Sequence, residues 1–212
     1  MTHTPKTYDK KILNYLKTPN NLPMALQIGD YAAKIREDMP KDFWSAVVTR
    51  LNATRPSSLP PGEFTFKPPT KAYLEQSMFG LQRVNPSAKS GHSLYCAIEV
   101  NNNEEEFYVY MGIGWSSQPE KKNSPTYKLP EVEALRNAME TEEEGYEFSA
   151  PWWLCGRYSW PPSAKDKFLV GIAESGNKIL ETSVVSYWRM VKRYWPQVEK
   201  VNKALLKQKG KR

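Results

Sequence analysis

The stretch SLYCAIEVNNNEEEFYVYMGIGW, residues 93–115, sets the architecture of this chain. Two runs rich in β-branched and aromatic residues flank Asn101, Asn102 and Asn103, the composition of an antiparallel hairpin and its turn. In the first arm Tyr95, Ala97 and Glu99 alternate with Leu94, Cys96, Ile98 and Val100. In the second, Tyr108 and Tyr110 alternate with Phe107, Val109, Met111 and Ile113. Successive strand side chains point to opposite faces, so the hairpin offers one aliphatic face to a core. Its other face carries Tyr95, Glu99, Tyr108 and Tyr110.

The flanking segments supply the partners such a face needs. Ser77 to Val84 reads as a further strand, and Glu63 to Lys67 alternates polar and aromatic residues until Pro68-Pro69 stops it. Further back, Tyr8–Lys17, Pro23–Asp38 and a segment opening at Pro40 or Asp42, with Phe43, Val47 and Leu51, read as three helices. Thr18-Pro19 and Pro40 separate them, because a residue before proline avoids the helical region. Arg55 to Gly62 reads as a linker or an ordered loop. After the hairpin, Leu129-Pro130-Glu131 opens a helix with Val132, Leu135 and Met139 inward, followed by acidic, exposed Glu140 to Glu147. Ala150 to Trp160 reads as a Trp-rich strand, and Asp166 to Ala173 fits either strand or helix.

The last helix has the clearest pattern. Val184, Trp188, Val191, Trp195, Val198, Asn202 and Leu205 recur at alternating spacings of four and three. The stripe runs through Pro196, which predicts a kink or a second helix start. Arg189, Lys192, Arg193, Lys200, Lys203 and Lys207 occupy the opposite face. The elements are segregated rather than alternating, so the expected class is α+β. It would comprise N-terminal helices, a central antiparallel sheet of four or five strands built on the hairpin, and a long C-terminal amphipathic helix packed on it. The expected segments are 1–55, helical; 63–206, the α+β domain; and 207–212, a basic tail.

The chain has 212 residues and a net charge of +7, unevenly spread. Residues 61–150 carry eight Lys and Arg against fourteen Asp and Glu; residues 151–212 carry thirteen against four. A basic third beside an acidic middle is the footprint of an anionic partner. No apolar run approaches the ~20 residues of a membrane span, and Met1 to Lys11 lacks the apolar core of a secretory signal, so a cytoplasmic location is expected.

Catalytic chemistry finds little footing. Only His3 and His92 are histidines, no Gly-x-Ser-x-Gly elbow occurs, and Cys96 sits on an aliphatic strand face. The two cysteines, Cys96 and Cys155, and the two histidines have no zinc spacing. Gly112-Ile113-Gly114 lacks the third glycine and Lys-Ser/Thr of a phosphate loop. Neither a metal nor a cofactor is expected. Glu99 is the one strand-borne acid placed to serve as a carboxylate base or metal ligand, with Tyr95 or Tyr110 beside it.

The order of elements resembles a known family. A helix with Phe43-Trp44, the two-stranded core Tyr95 to Trp115, a helix with Glu131-Val132-Glu133-Ala134-Leu135, a Trp-rich strand and a closing helix with Trp188 and Trp195 follow one another. Over roughly residues 40–206 this is similar to the small prokaryotic α/β domain of unknown function often attached to PD-(D/E)XK nuclease-like domains. The resemblance implies an accessory domain in prokaryotic or phage defence or counter-defence, and names no reaction.

The expected function is therefore non-enzymatic binding of an anionic partner, most plausibly nucleic acid. Arg189, Lys192, Arg193, Lys200 and Lys203 would contact phosphates, while Tyr108, Tyr110 and Trp115 would stack on bases. The alternative is a protein-interaction module whose acidic and basic stretches dock on a larger complex.

Overall fold

The computed structural model describes residues 7–59, 64, 66, 78–82, 92–102, 106–117, 119, 125–141, 145–147 and 152–209. They fall into two units, Met1–Asp42 and Phe43–Arg212. The fold is α+β.

The larger unit is built on four antiparallel strands in sequential order: β1 (Met78–Gln82), β2 (Leu94–Asn102), β3 (Glu106–Trp115) and β4 (Trp153–Ala164). The hairpin forms as the alternation predicts, with Leu94 opposite Trp115 and Asn102 opposite Phe107. The register of β3 against β4 shifts between Phe107 and Val109, between Val109 and Tyr110, and between Ile113 and Gly114. Pro161 and Pro162 fall within the shift between Phe107 and Val109, where neither is paired with β3, so their missing N–H groups break no ladder bond.

Leu94, Cys96, Ile98, Phe107, Val109, Met111, Ile113 and Trp115 make one face of the sheet, and all are buried. Three helical pieces contribute to the same core. One is α3 (Pro130–Glu140), which turns Val132, Leu135 and Met139 inward. Another is α4 (Lys165–Lys209), whose helix is interrupted at Ser175, where φ is −147° and ψ 26°. Before that break Phe168 stacks on Phe107 with ring centroids 3.3 Å apart. After it, Val184, Tyr187, Trp188, Val191, Tyr194, Trp195, Val198 and Val201 are buried. The third piece is the end of α2 (Leu22–Ala53), through Phe43, Trp44, Val47, Val48 and Leu51.

Two asparagines tie backbone outside the helices to them, Leu94 at the start of β2 and Phe66. Leu94 donates its N–H to Asn202 Oδ1 at 2.7 Å, and Asn202 Nδ2 donates back to the Leu94 carbonyl at 2.9 Å. Asn52 holds Phe66 the same way, at 3.1 and 3.0 Å. Such two-way amide bonding replaces a missing strand neighbour and satisfies buried backbone groups.

Several expectations need correction. Phe64 and Phe66 do enter the core, against Trp188 and Trp195, but neither lies in a strand; Glu63, Thr65 and Lys67 fall outside the described residues. Of the two alternatives open for Asp166 to Ala173, the helix is the one that forms. Pro196 neither ends nor restarts α4: its missing N–H affects only the carbonyl of Lys192, on the exposed side where water can serve it. Pro40 likewise does not separate two helices, because α2 passes through it. Burial of Phe43, Trp44, Val47, Val48 and Leu51 holds the turns after Pro40 helical and outweighs the local preference for a break. The division between units falls inside α2, at Asp42. Tyr146, within the stretch expected to be exposed, is 3% exposed.

The smaller unit holds α1 (Thr7–Leu16) and the start of α2. The Thr18 hydroxyl and the Asn21 amide both donate to the Tyr15 carbonyl, at 2.9 and 3.1 Å, closing the end of α1. None of residues 9–39 is buried.

Candidate nucleic-acid interface

The buried stripe of α4 fixes what its other side presents. Arg189, Lys192, Arg193, Lys200, Lys203 and Lys207 are all exposed. At 100° per residue they fall within an arc of about 100°, along roughly 27 Å of helix axis. No acidic residue interrupts this arc; Glu199 lies at its border and is half-buried. Upstream, Glu181 is engaged by Arg50 Nε at 2.8 Å. The Arg193 guanidinium lies over its neighbour Tyr194, 5.7 Å from the ring centroid. Lys203 and Lys207 also suit the helix end, where the macrodipole favours positive charge.

The tyrosines expected to join these cations lie on the sheet's other face. Tyr95, Tyr108, Tyr110, Trp153 and Ala97 form a second, smaller cluster, separate from the core beneath α4. Its rings meet each other edge to face: Tyr110 with Trp153 at 4.9 Å, Tyr110 with Tyr158 at 5.1 Å, and Tyr108 with Tyr158 at 5.4 Å. Tyr110 also lies directly on Gly156, where any side chain would collide with its ring. Tyr110 is 9% exposed and Trp153 8%, so these rings are committed to one another and to the sheet.

Trp115 is a correction outright. It is 1% exposed, within the core and edge to face with Tyr127 at 5.3 Å, and cannot stack on a base. Its parity with Ile113 and Met111 places it on the aliphatic face. Of the expected contact residues, then, the five cations share one surface, Tyr108 and Tyr110 lie across the sheet, and Trp115 lies inside.

Glu99 sits opposite Tyr110 in the ladder, on the tyrosine side. Among the described residues its carboxyl has no hydrogen-bond or ion-pair partner, and burial pushes its pKa up to about 7. The Cys155 thiol is pushed up to about 12, by burial first and the nearby Glu140 carboxylate second, which leaves it unreactive. Among the described residues no three His, Cys, Asp or Glu side chains come together. No helix among them is long and apolar enough to cross a membrane.

One contact escaped the sequence reading. His92 Nδ1 lies 3.0 Å from both the hydroxyl and the backbone carbonyl of Ser117, next to Ser93 and Ser116, whose hydroxyls are 2.8 Å apart. When Nδ1 donates to the carbonyl it cannot accept the hydroxyl proton, so the arrangement clamps the open end of the hairpin. The pairing of Leu94 with Trp115 is what brings these residues together, and a pattern search at 25 residues' separation has no means of finding it.

No protein-family model, curated protein or solved structure matches this chain.

Proposed function

We propose that the protein is a non-enzymatic binding protein whose α4 lays its cationic side along the phosphate backbone of a nucleic acid. The observation that carries this reading is the arc of Arg189, Lys192, Arg193, Lys200 and Lys203, exposed and uninterrupted by acid. Cations spaced along one rigid helix can each displace a condensed counterion from a phosphate. The tyrosine side takes no part, because the sheet and α4 lie between it and the bound backbone. Recognition is therefore independent of base sequence, since phosphate contacts position a protein without reading bases.

The test is fluorescence anisotropy with a labelled mixed-sequence duplex at low salt. Lys192→Glu, Lys200→Glu and Lys203→Glu combined should weaken binding by ~100-fold or more. Tyr158→Ala, on the other side of the sheet, should change it less than about twofold. Undetectable binding by the unaltered protein, or equal loss in both variants, overturns the reading. Recovery of a single stoichiometric protein from the native host, insensitive to nuclease, would favour the protein-interaction alternative.

A further inference from the structure

The cations of α4 fall into two groups along the helix axis. Arg189, Lys192 and Arg193 occupy about 6 Å of it, and Lys200, Lys203 and Lys207 about 10.5 Å, at the α-helical rise per residue. Between Arg193 and Lys200 lies a gap of roughly 10.5 Å. Of residues 194–199 only Pro196 turns into the cationic arc, ~20° around the helix from Arg189, and it is exposed. The helix continues through Pro196, so the two groups are held at a set spacing.

This grouping bears on the form of the nucleic acid. Along a strand phosphates succeed one another without a break, one per ~3.4 Å of duplex axis. A helix following one strand would leave those opposite Pro196 unmet. Across a groove, by contrast, there are no phosphates to meet. The major groove of B-form DNA is about 12 Å wide and the minor groove about 6 Å, so the gap matches the first and exceeds the second. The major groove is also about 8.5 Å deep, which leaves Pro196 over water. The shallow minor groove of an RNA duplex would instead bring 2′-hydroxyls up to a proline ring that offers them no hydrogen bond.

Resting on the reading that α4 binds phosphates, we propose that the partner is B-form duplex DNA and that α4 bridges its major groove. Arg189, Lys192 and Arg193 hold one strand, and Lys200 and Lys203 hold the other, with Lys207 beyond them. The helix lies across the rim of the groove: its cations stop at the phosphates, and Pro196 is too short to reach the base edges.

The test is fluorescence anisotropy of the full chain with three DNA duplexes of one mixed sequence. One is unmodified; in the others, one strand or its complement carries uncharged methylphosphonate linkages. Contacts divided between the strands leave at most three of the five on either hybrid, so the slope of log K against log [salt] should flatten from about −4 to −5 to about −2 or less. A helix that follows one strand would move to the charged strand and keep all five contacts, at a slope of about −3.5, and that result overturns the proposal. Duplex RNA of the same sequence should bind at least ~10-fold more weakly than the unmodified DNA, and equal affinity overturns the choice of groove. A normal slope on unmodified DNA with about −3.5 on both hybrids leaves the phosphate reading standing, whereas absence of binding to unmodified DNA defeats both.

Discussion

The outer side of α4 and the tyrosine side of the sheet carry the two residue types that nucleic-acid binding draws on, and they are held in opposite ways. On α4 the cations are exposed on the side opposite a buried stripe that fixes the helix beneath them. On the sheet, Tyr110 and Trp153 are buried and meet each other edge to face, with Tyr108 half-buried and Tyr158 at the rim, each set edge-on against a neighbouring ring. A base can stack only on a ring face that is open. The difference separates a surface that can bind from one that stabilises: the tyrosines form a second packing layer on a sheet whose first layer is the core under α4.

If the tyrosine side is structural, it should fail as structure when disturbed. The largest effect is expected at Gly112, where β3 and β4 approach so closely that a Cβ would collide with the Cys155 carbonyl. Backbone cannot yield as a flexible side chain does, so Gly112→Ala should cost about 3 kcal/mol or more, read from the urea unfolding midpoint. An unchanged midpoint would mean that the two strands are not held at this distance.

The second effect is a pH dependence. Burial pushes the Glu99 carboxyl up to about 7 from the 4.5 of an exposed glutamate, so the folded state holds this proton more tightly than the unfolded one. Its contribution is fully present below pH 4.5, is lost as pH rises towards 7, and changes no further above that. Glu99→Gln removes the ionisable group, so it should raise stability at pH 8 by on the order of 2 kcal/mol and leave it nearly unchanged at pH 4. Equal effects at both values would show that Glu99 is solvated and that the tyrosine side is open after all.

Much of this arrangement can be read from residue order. The hairpin announces itself because alternation of Leu94 to Val100 and Phe107 to Ile113 has a period of two on both sides of an asparagine turn. The α4 stripe shows because its spacing keeps one face apolar for six turns. The separation of cations from tyrosines follows from the same patterns: an amphipathic helix covers the aliphatic face of a sheet, which leaves its charged side pointing away from the other face. Trp115 shares the parity of Ile113 and Met111, and that alternation, carried one step further, places it in the core and not among stacking residues. Pro40, by contrast, misleads. A proline rule is local, whereas the helix on its far side is secured by Phe43, Trp44 and Leu51 against residues more than a hundred positions away. The two-way bonds of Asn52 and Asn202 are equally non-local and have no sequence signature.

The central claim, that α4 binds nucleic acid through phosphates alone, is decided by the salt dependence of binding to a mixed-sequence duplex. Five phosphate contacts, from Arg189, Lys192, Arg193, Lys200 and Lys203, predict a slope of log K against log [salt] of about −4 to −5, alike for duplexes of different sequence. A slope near zero, or one that changes with base sequence, would contradict it.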